Sequence, residues 1–495
     1  MKIANFFAIL ISLWLVSAAS APAETKPNIV LIFTDDMGYG DLPSFSETPI
    51  RTPNLDRLAT EGTRFTDFYV TQAVCTASRA SLMSGCYANR VGLAGALNHT
   101  SPTGISPDEE LIPEILQAQG YATGMYGKWH LGMPPFFSPL KNGFDEWLGI
   151  PYSNDNTKYH PVLFDSMPPL PLYRGDANGE EIIEEDADQA LFTKRFTQAA
   201  TAFIDKHREQ PFFLYVPHPM PHVPIFASDD FKGKSPHGLY GDVIEELDWS
   251  VGEIMQAIDR NGLTQNTLFI FSNDNGPFLS YGTHAGSSGD LREGKLTAFD
   301  GGVRVPTIMR WPGKIPAGET CSAPIMTIDL LPTFCNLAGA ELPKQKIDGV
   351  DVTNVLTRQQ TDDPHESLVF YSGSELHAIR AGRWKLHFPH AYLTPRDDLR
   401  DDGKPAGFGK LKPLSITQSG VEGIASRHGY RVEQLPLSLY DLSKDVSEAN
   451  DVAQANPEVV ARLVEMANQY RLELGDSLTN QTGTGLRDVG RHDSE

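Results

Sequence analysis

The sequence predicts an α/β fold: a large, mostly parallel sheet flanked by helices, followed by a smaller C-terminal α+β subdomain carrying a short antiparallel sheet. Three observations carry this reading. Short runs of β-branched and aromatic residues alternate with stretches of helical periodicity. Through the first two thirds of the chain these runs stop at loops rich in Asp, Asn, His, Lys or Cys. After residues 362–365 the runs become shorter and closely spaced, with turn residues between them, as an antiparallel sheet requires.

Residues 29–33 form the first strand candidate and stop at Thr34-Asp35-Asp36. Thr52-Pro53 opens a helix, because Thr suits the cap and the fixed φ of Pro suits the first turn; Leu55, Leu58 and Ala59 follow at helical spacing. Residues 65–70 are the next strand candidate, with Cys75 after them at the mouth of a helix. A helix over 110–119 leads to a strand over 122–126 that ends at Gly127-Lys128-Trp129-His130. A long amphipathic helix over 187–207 precedes a buried strand over 212–216, and a helix over 241–261 precedes a strand over 268–271. A parallel sheet gathers such strand ends along one edge, where open α/β sheets hold their ligands. Residues 367–371, 377–380 and 384–388 read as antiparallel strands, and Asn456-Pro457 opens a helix with Val459, Val460, Leu463, Met466 and Tyr470 on one face. The expected organisation is a signal peptide over 1–23, a catalytic domain over 24–364, a C-terminal subdomain over 365–475 and a flexible, polar tail over 476–495.

The first residues fit a signal peptide: Lys2, an apolar stretch over 6–16, then Ala21-Pro22-Ala23 as a small-residue cleavage site. That stretch is too short for a membrane span, so the mature protein is expected to be exported, periplasmic or secreted, without stable membrane insertion. The formal net charge of −22 argues against nucleic acid as a partner and against long-range attraction of a polyanion. Any anion must be captured by a local cluster of cations. Four cysteines in an exported chain allow disulfides: Cys321 with Cys335 is one possible pair, and Cys75 with Cys86 another.

Several residue sets carry chemistry. Asp35-Asp36 and Asp274-Asn275 follow separate strands, and converging carboxylate and amide oxygens suit a hard cation such as Ca²⁺ or Mg²⁺; the same pairs are also common turn sequences. Lys128 and His130, two apart, point the same way in an extended segment and suit an oxyanion and its proton transfers. His218 and His222 sit in the Pro-stiffened loop Pro217-His218-Pro219-Met220-Pro221-His222-Val223-Pro224. Lys295 lies before the Gly301-Gly302 turn and alone would read as solvated surface. Cys75 has Arg79 one helical turn away, so both side chains can face one spot.

The pentapeptide Cys75-Thr76-Ala77-Ser78-Arg79 resembles the Cys-x-Pro/Ala-x-Arg signature of type I sulfatases, of the alkaline phosphatase superfamily. Gly124-Met125-Tyr126-Gly127-Lys128-Trp129-His130-Leu131-Gly132, Gly149-Ile150-Pro151-Tyr152-Ser153 and Gly294-Lys295 with Gly301-Gly302-Val303-Arg304 are similar to the arylsulfatase A and galactosamine-6-sulfatase group. The resemblance runs from about residue 27 to 306 and implies an alkaline-phosphatase-like fold. It implies that a maturation enzyme, a formylglycine-generating or an anaerobic sulfatase-maturating one, oxidises Cys75 to Cα-formylglycine. The aldehyde hydrate would be the nucleophile, and a covalent hemiacetal sulfate would form and expel sulfate. One Ca²⁺ would be bound by Asp35, Asp36, Asp274 and Asn275 together with the modified Cys75. Arg79 would hold the nucleophile, Lys128 and Lys295 would neutralise the sulfate oxygens, and Asp274 would help deprotonate the attacking hydroxyl. His222 with Lys295 would serve the leaving alcohol, His130 would take the proton of the second geminal hydroxyl, and Ser153 would lie near the sulfate. Ala77 stands where Pro is commoner, and Ser84-Gly85-Cys86 where Thr-Gly-Arg is frequent. The implied activity is release of sulfate from a sulfated glycan or an aryl sulfate. The alternatives are a formylglycine-dependent phosphonate or phosphate ester hydrolase, and an inactive sulfated-glycan binding protein. Loops over 134–139, 154–174, 278–290 and 388–434 are expected to set specificity.

Overall fold

A computed structural model describes residues 26–360, 362–418 and 420–492. The expected signal peptide lies outside the described residues.

The centre of the molecule is a ten-stranded sheet. In chain order its strands are β1 (Asn28–Thr34), β2 (Thr63–Phe65), β3 (Ala122–Lys128), β4 (Glu146–Ile150), β5 (Leu172–Asp176), β6 (Gly179–Glu184), β7 (Phe212–Val216), β8 (Thr267–Asn273), β9 (Thr307–Arg310) and β10 (Glu319–Cys321). Across the sheet they run β10-β2-β9-β8-β1-β7-β3-β4-β5-β6. The middle five, β8-β1-β7-β3-β4, are mutually parallel, while β9 and β5 pair antiparallel with their inner neighbours. The large mixed, mostly parallel sheet is therefore present as expected.

Alternation along β1 shows how the layers are divided. Ile29, Leu31 and Phe33 enter one apolar core, and Val30 and Ile32 enter the other. The second core is closed by α1 (Pro53–Glu61), α4 (Phe192–His207) and α5 (Gly238–Arg260). The first is closed by α2 (Cys75–Ser84), α3 (Ile112–Ala118) and α6 (Leu330–Ala338), and it continues without a break into the C-terminal part. There β11 (Leu368–Ser372), β12 (Glu375–Ala381), β13 (Trp384–His387) and β16 (Ser438–Asp441) form an antiparallel sheet, and β14 (His390–Pro395) pairs with β15 (Tyr430–Leu435) as a separate ribbon. Two helices, α7 (Gly420–His428) and α8 (Pro457–Leu474), complete this part.

Two details differ from the sequence reading. The run over 65–70 is split into β2 and a two-residue pairing at Phe68–Tyr69, because the backbone leaves the large sheet there to pair with Ile325–Met326. The tail is not loose over 476–492. Asp476 is buried and takes Arg471 Nε at 2.8 Å, and Gly490–Arg491 pairs antiparallel with Thr103–Gly104. Arg487 reaches the Cys86 sulfur at 3.0 Å, the Lys346 carbonyl at 2.8 Å and Glu109 at 2.9 Å. A polar segment with few apolar residues is thus strapped down by charged side chains and backbone pairing, which hydropathy does not register.

Candidate active site

The middle strands end along one edge, and the chemistry-bearing residues follow those ends. Asp35 and Asp36 come after β1, Asp274 and Asn275 after β8, His222 in the loop after β7, Lys128 and His130 at the end of β3, and Ser153 after β4. Cys75 is the first residue of α2, whose ten residues are all buried. Arg79, one turn further on, points to the same place: its guanidinium meets Asp274 Oδ2 at 2.8 and 3.1 Å and Asp35 Oδ2 at 3.3 Å. It also donates to the Lys128 carbonyl at 3.3 Å, tying α2 to the end of β3.

Lys295 arrives from a separate loop. Its Nζ lies 2.5 Å from Asp36 Oδ1 and 3.3 Å from Cys75 Sγ. The Gly301-Gly302 turn seats this loop: a Cβ on Gly276 would fall 1.7 Å from the Gly301 carbonyl, and one on Gly301 would fall 2.1 Å from the Glu293 carbonyl. Only bare backbone allows the Lys295 loop and the Asp274-Asn275 loop to close on each other. Asp36, His130, Glu293 and Leu296 are held with φ between 57° and 74°. Left-handed backbone at non-glycine residues costs free energy and persists where the surroundings enforce it, typically at functional sites.

The electrostatics follow from burial of many charges in one place. Burial pushes the Cys75 thiol up to about 12, with the Asp35 carboxylate adding to the effect. An unmodified Cys75 is therefore a poor thiolate nucleophile. Burial opposes ionisation of Asp35, but the charges of Lys128, Arg79 and Lys295 together hold it well below the usual carboxylate range. For Asp36 burial wins: despite Lys295, it is pushed up to about 7, with Asp35 and Asp274 adding repulsion. Lys128 and Lys295 remain charged because their carboxylate neighbours outweigh burial. Lys128 Nζ pairs with Asp35 Oδ2 and donates to Ser153 Oγ at 3.3 Å.

The imidazoles are held neutral by burial, His222 at about 3 and His130 well below its ordinary range. His130 Nε2 lies 2.8 Å from the Leu97 carbonyl and must be the protonated nitrogen, so Nδ1, which has no partner among the described residues, is left as a base. His222 Nδ1 donates to the Val223 carbonyl at 2.6 Å, which turns the lone pair of Nε2 toward Asp36 Oδ2, 3.6 Å away. His218 does not reach this place: it bonds Ser250 at 3.0 Å.

With Asp36 ionised, two acceptors face each other across 3.6 Å and need a positive partner. Asp36 Oδ2 and Asn275 Oδ1 are both buried without a hydrogen-bond donor among the described residues. Donor atoms of Asp35, Asp36, Cys75 and His222 lie within 4.8 Å of one another. Orphaned hard oxygens beside three carboxylates fit a divalent cation of the Ca²⁺ or Mg²⁺ type. All four cysteines are free thiols, so neither Cys75–Cys86 nor Cys321–Cys335 is bridged.

The site opens into a cavity of about 450 Å³. Cys75, His130, Ser153, His222 and Lys295 line its floor. The walls include residues that the sequence reading did not single out: Asp155, His160, Phe278, Arg427 and His428. These fall within the loops expected to set specificity. Residues 134–139 do not line the cavity, whereas Gln72, residues 94–98 and residues 371–375 do. Nothing in the local sequence marks these additions, because chain reversal between distant elements brings them here.

Comparison with known proteins bears on this geometry. A family model described as Sulfatase matches residues 27–340, and one described as the C-terminal region of aryl-sulfatase matches residues 363–485. Arylsulfatase A of Bos taurus is 37% identical over 484 residues, covering 93% of this chain and 90% of its own. N-acetylgalactosamine-6-sulfatase of Mus musculus is 39% identical over 396 residues, covering 77% and 75%. The solved structure of Ps i-CgsB in complex with k-i-k-neocarrahexaose superposes with a TM-score of 0.72 at 29% identity, covering 94% of this chain and 95% of that one.

Proposed function

This chain belongs to the sulfatase family as a sulfuric ester hydrolase of the arylsulfatase A and N-acetylgalactosamine-6-sulfatase type, and from that premise we propose how its residues share the work. The single observation that carries the reading is the convergence of Cys75, Arg79, Lys128 and Lys295 on the buried carboxylates of Asp35, Asp36 and Asp274 at the sheet edge.

Cys75 is the precursor of Cα-formylglycine, installed by a maturation enzyme. The modified residue supplies a geminal diol, one hydroxyl to attack sulfur and a second to expel sulfate by carbon–oxygen cleavage. A serine ester would have no such exit. Asp35, Asp36, Asp274 and Asn275 would hold the Ca²⁺, which would supply positive charge to the site. Arg79 fixes Asp274 and Asp35, and Asp274 accepts the proton of the attacking hydroxyl. Lys128 and Lys295, both charged and buried, neutralise the equatorial oxygens of the transferring group. Ser153, hydrogen-bonded to Lys128, borders the sulfate. His222 faces the cavity beside Lys295, whose charged Nζ donates a proton to the leaving oxygen. His130, with Nδ1 unprotonated, takes the proton of the second hydroxyl.

The substrate is a sulfated carbohydrate, with aryl sulfates as simpler surrogates, and the protein acts as an exported enzyme. Among the described residues no helix is long and apolar enough to cross a membrane. A sulfate monoester carries one negative charge and a phosphate monoester about two, so two lysines and one metal favour the former.

Mass spectrometry of the peptide carrying position 75 tests the nucleophile. The expected result is loss of the thiol mass in favour of the aldehyde, with sulfate release falling by at least about 10³-fold in Cys75→Ala. Full activity with an unmodified thiol would sink the mechanism. Comparing matched sulfate and phosphate esters separates sulfatase from phosphatase action.

A further inference from the structure

The floor of the cavity is used by the sulfate chemistry, but one wall is not. Asp155, His160, Arg427 and His428 meet there, contributed by the loop after β4 and by α7. Asp155 stands two residues beyond Ser153, with Oδ1 held by Asn156 Nδ2 at 2.8 Å. Burial opposes its ionisation, but the polar edges of His222, His160 and His428 and the Ser153 hydroxyl offset burial and keep its pKa below the carboxylate range, so the wall carries an ionised acceptor.

The neighbours of that acceptor are donors of known direction. His160 Nδ1 accepts from the backbone N–H groups of Val162 at 3.0 Å and Leu163 at 2.9 Å. Its proton is therefore on Nε2. Burial keeps both His160 and His428 neutral. His428 Nδ1 is engaged by the Tyr281 hydroxyl at 2.8 Å, and its ring packs at 4.9 Å from that of Phe278. Arg427 Nη1 is anchored on the carbonyls of Ser415 at 2.9 Å and Gln418 at 2.5 Å, which fixes the guanidinium at the cavity wall.

An ionised carboxylate flanked by imidazole and guanidinium N–H donors is the chemistry that reads hydroxyl groups on a pyranose. Adjacent hydroxyls donate to the carboxylate and accept from the imidazole and guanidinium. A second sulfate on the same ring finds no surplus of cations, because Asp155 offsets Arg427 and both imidazoles are uncharged. A plain aryl group can satisfy none of these polar atoms. We propose that Asp155, with His160 and Arg427, forms a leaving-group subsite for a hydroxyl-bearing, otherwise uncharged sugar ring, with Asp155 as the specificity-determining acceptor. This rests on the reading of the floor as a sulfate ester site.

The test uses mature enzyme, 4-nitrophenyl sulfate, and a panel of monosulfated galactose, N-acetylgalactosamine and glucosamine. The readout is the ratio of kcat/KM on the best sugar to kcat/KM on 4-nitrophenyl sulfate. In Asp155→Asn this ratio is expected to fall by about 10- to 100-fold, the range for a buried polar contact left unpaired. His160→Gln, which keeps an N–H donor, should lower it less than His160→Leu. Turnover of 4-nitrophenyl sulfate reports that each variant is folded and matured. A ratio unchanged within about threefold overturns the subsite assignment alone. A wild-type enzyme that cleaves 4-nitrophenyl sulfate and no sugar on the panel overturns the carbohydrate reading as well, so the two failures are distinguishable.

Discussion

Two buried ionic clusters of equal formal charge lie in this molecule. One is the candidate active site: Asp35, Asp36 and Asp274 with Arg79, Lys128 and Lys295. The other joins the large sheet to the C-terminal part: Asp67, Asp300 and Glu448 with Arg304, Arg380 and Lys385. In the second, every carboxylate oxygen has a donor. Asp67 takes Arg304 at 2.6 Å and Arg380 at 2.7 Å, and Asp300 takes Lys385 at 2.6 Å and the Tyr69 hydroxyl at 2.9 Å. Glu448 takes His387 at 2.9 Å and the Asp300 N–H at 2.6 Å. In the first, Asp36 Oδ2 and Asn275 Oδ1 are left over, and Asp36 itself sits in left-handed backbone. Saturation marks a cluster that fixes structure. Unspent acceptors and enforced strain mark one that waits for a ligand.

The contrast can be broken first through activity. Lys295→Ala or Lys128→Ala should lower kcat/KM for sulfate release by about 10²- to 10³-fold, the usual cost of removing one preorganised charge from a transition state. Lys385→Met should leave kcat within a few fold. If Lys385→Met abolished turnover in folded protein, the division between the clusters would fail.

Next comes stability. Lys385→Met strips the ammonium from two fully buried carboxylates and should cost about 3–5 kcal/mol in urea unfolding. Calcium sharpens the comparison from the other side. At about 100 times its Kd, a cation that binds only the folded state adds about 2.7 kcal/mol. That gain should vanish in Asp36→Ala and persist in Glu448→Gln, as read by calorimetry with and without chelator. A calcium shift that survives Asp36→Ala would place the ion elsewhere.

The smallest effect concerns the border of the second cluster. His390 stacks 3.8 Å from His377 and is held at about 3, through burial first and then the His377 neighbour. Its folded pKa lies below the unfolded value of 6.5, so its contribution is complete above pH 6.5 and is lost as pH falls toward 3. Between pH 7 and pH 5 the loss is about 2 kcal/mol, to be measured by urea titration at both values. His390→Phe should flatten that slope, and an unchanged slope would count against the assignment.

Much of the site was legible in the chain because a parallel sheet converts sequence order into spatial convergence. Asp35-Asp36, Lys128, His130 and Asp274-Asn275 each follow a strongly apolar strand, and helical spacing puts Arg79 over Cys75. What escaped reading has a common cause. The strand Glu146–Ile150, the hairpin of β5 and β6, and α7 carry weak periodicity, and their place is set by what they pack against. Asp155, Arg427 and His428 become one wall only when α7 folds back over the loop after β4. Polarity after residue 475 looked like disorder, yet Arg487 meets Cys86 and Asp476 accepts from the Leu376 N–H, both far away in sequence.

By itself, the sequence determined the strand-ending loops and the Cys75–Arg79 helix mouth, since these depend on local periodicity and on one general property of parallel sheets, and its resemblance to type I sulfatases implied the class of chemistry. The tertiary structure alone decided which charges are spent and which are left over. Lys385 and Lys295 are both lysines that would pass for surface residues in the chain. One meets Asp300 and Glu448 across 85 and 63 positions and is saturated. The other meets Asp36 and Cys75 across 259 and 220 positions and stays beside unpaired oxygens. Whether a buried charge holds a fold or serves a substrate depends on how many donors and acceptors converge on it, and that count exists only once the chain is folded.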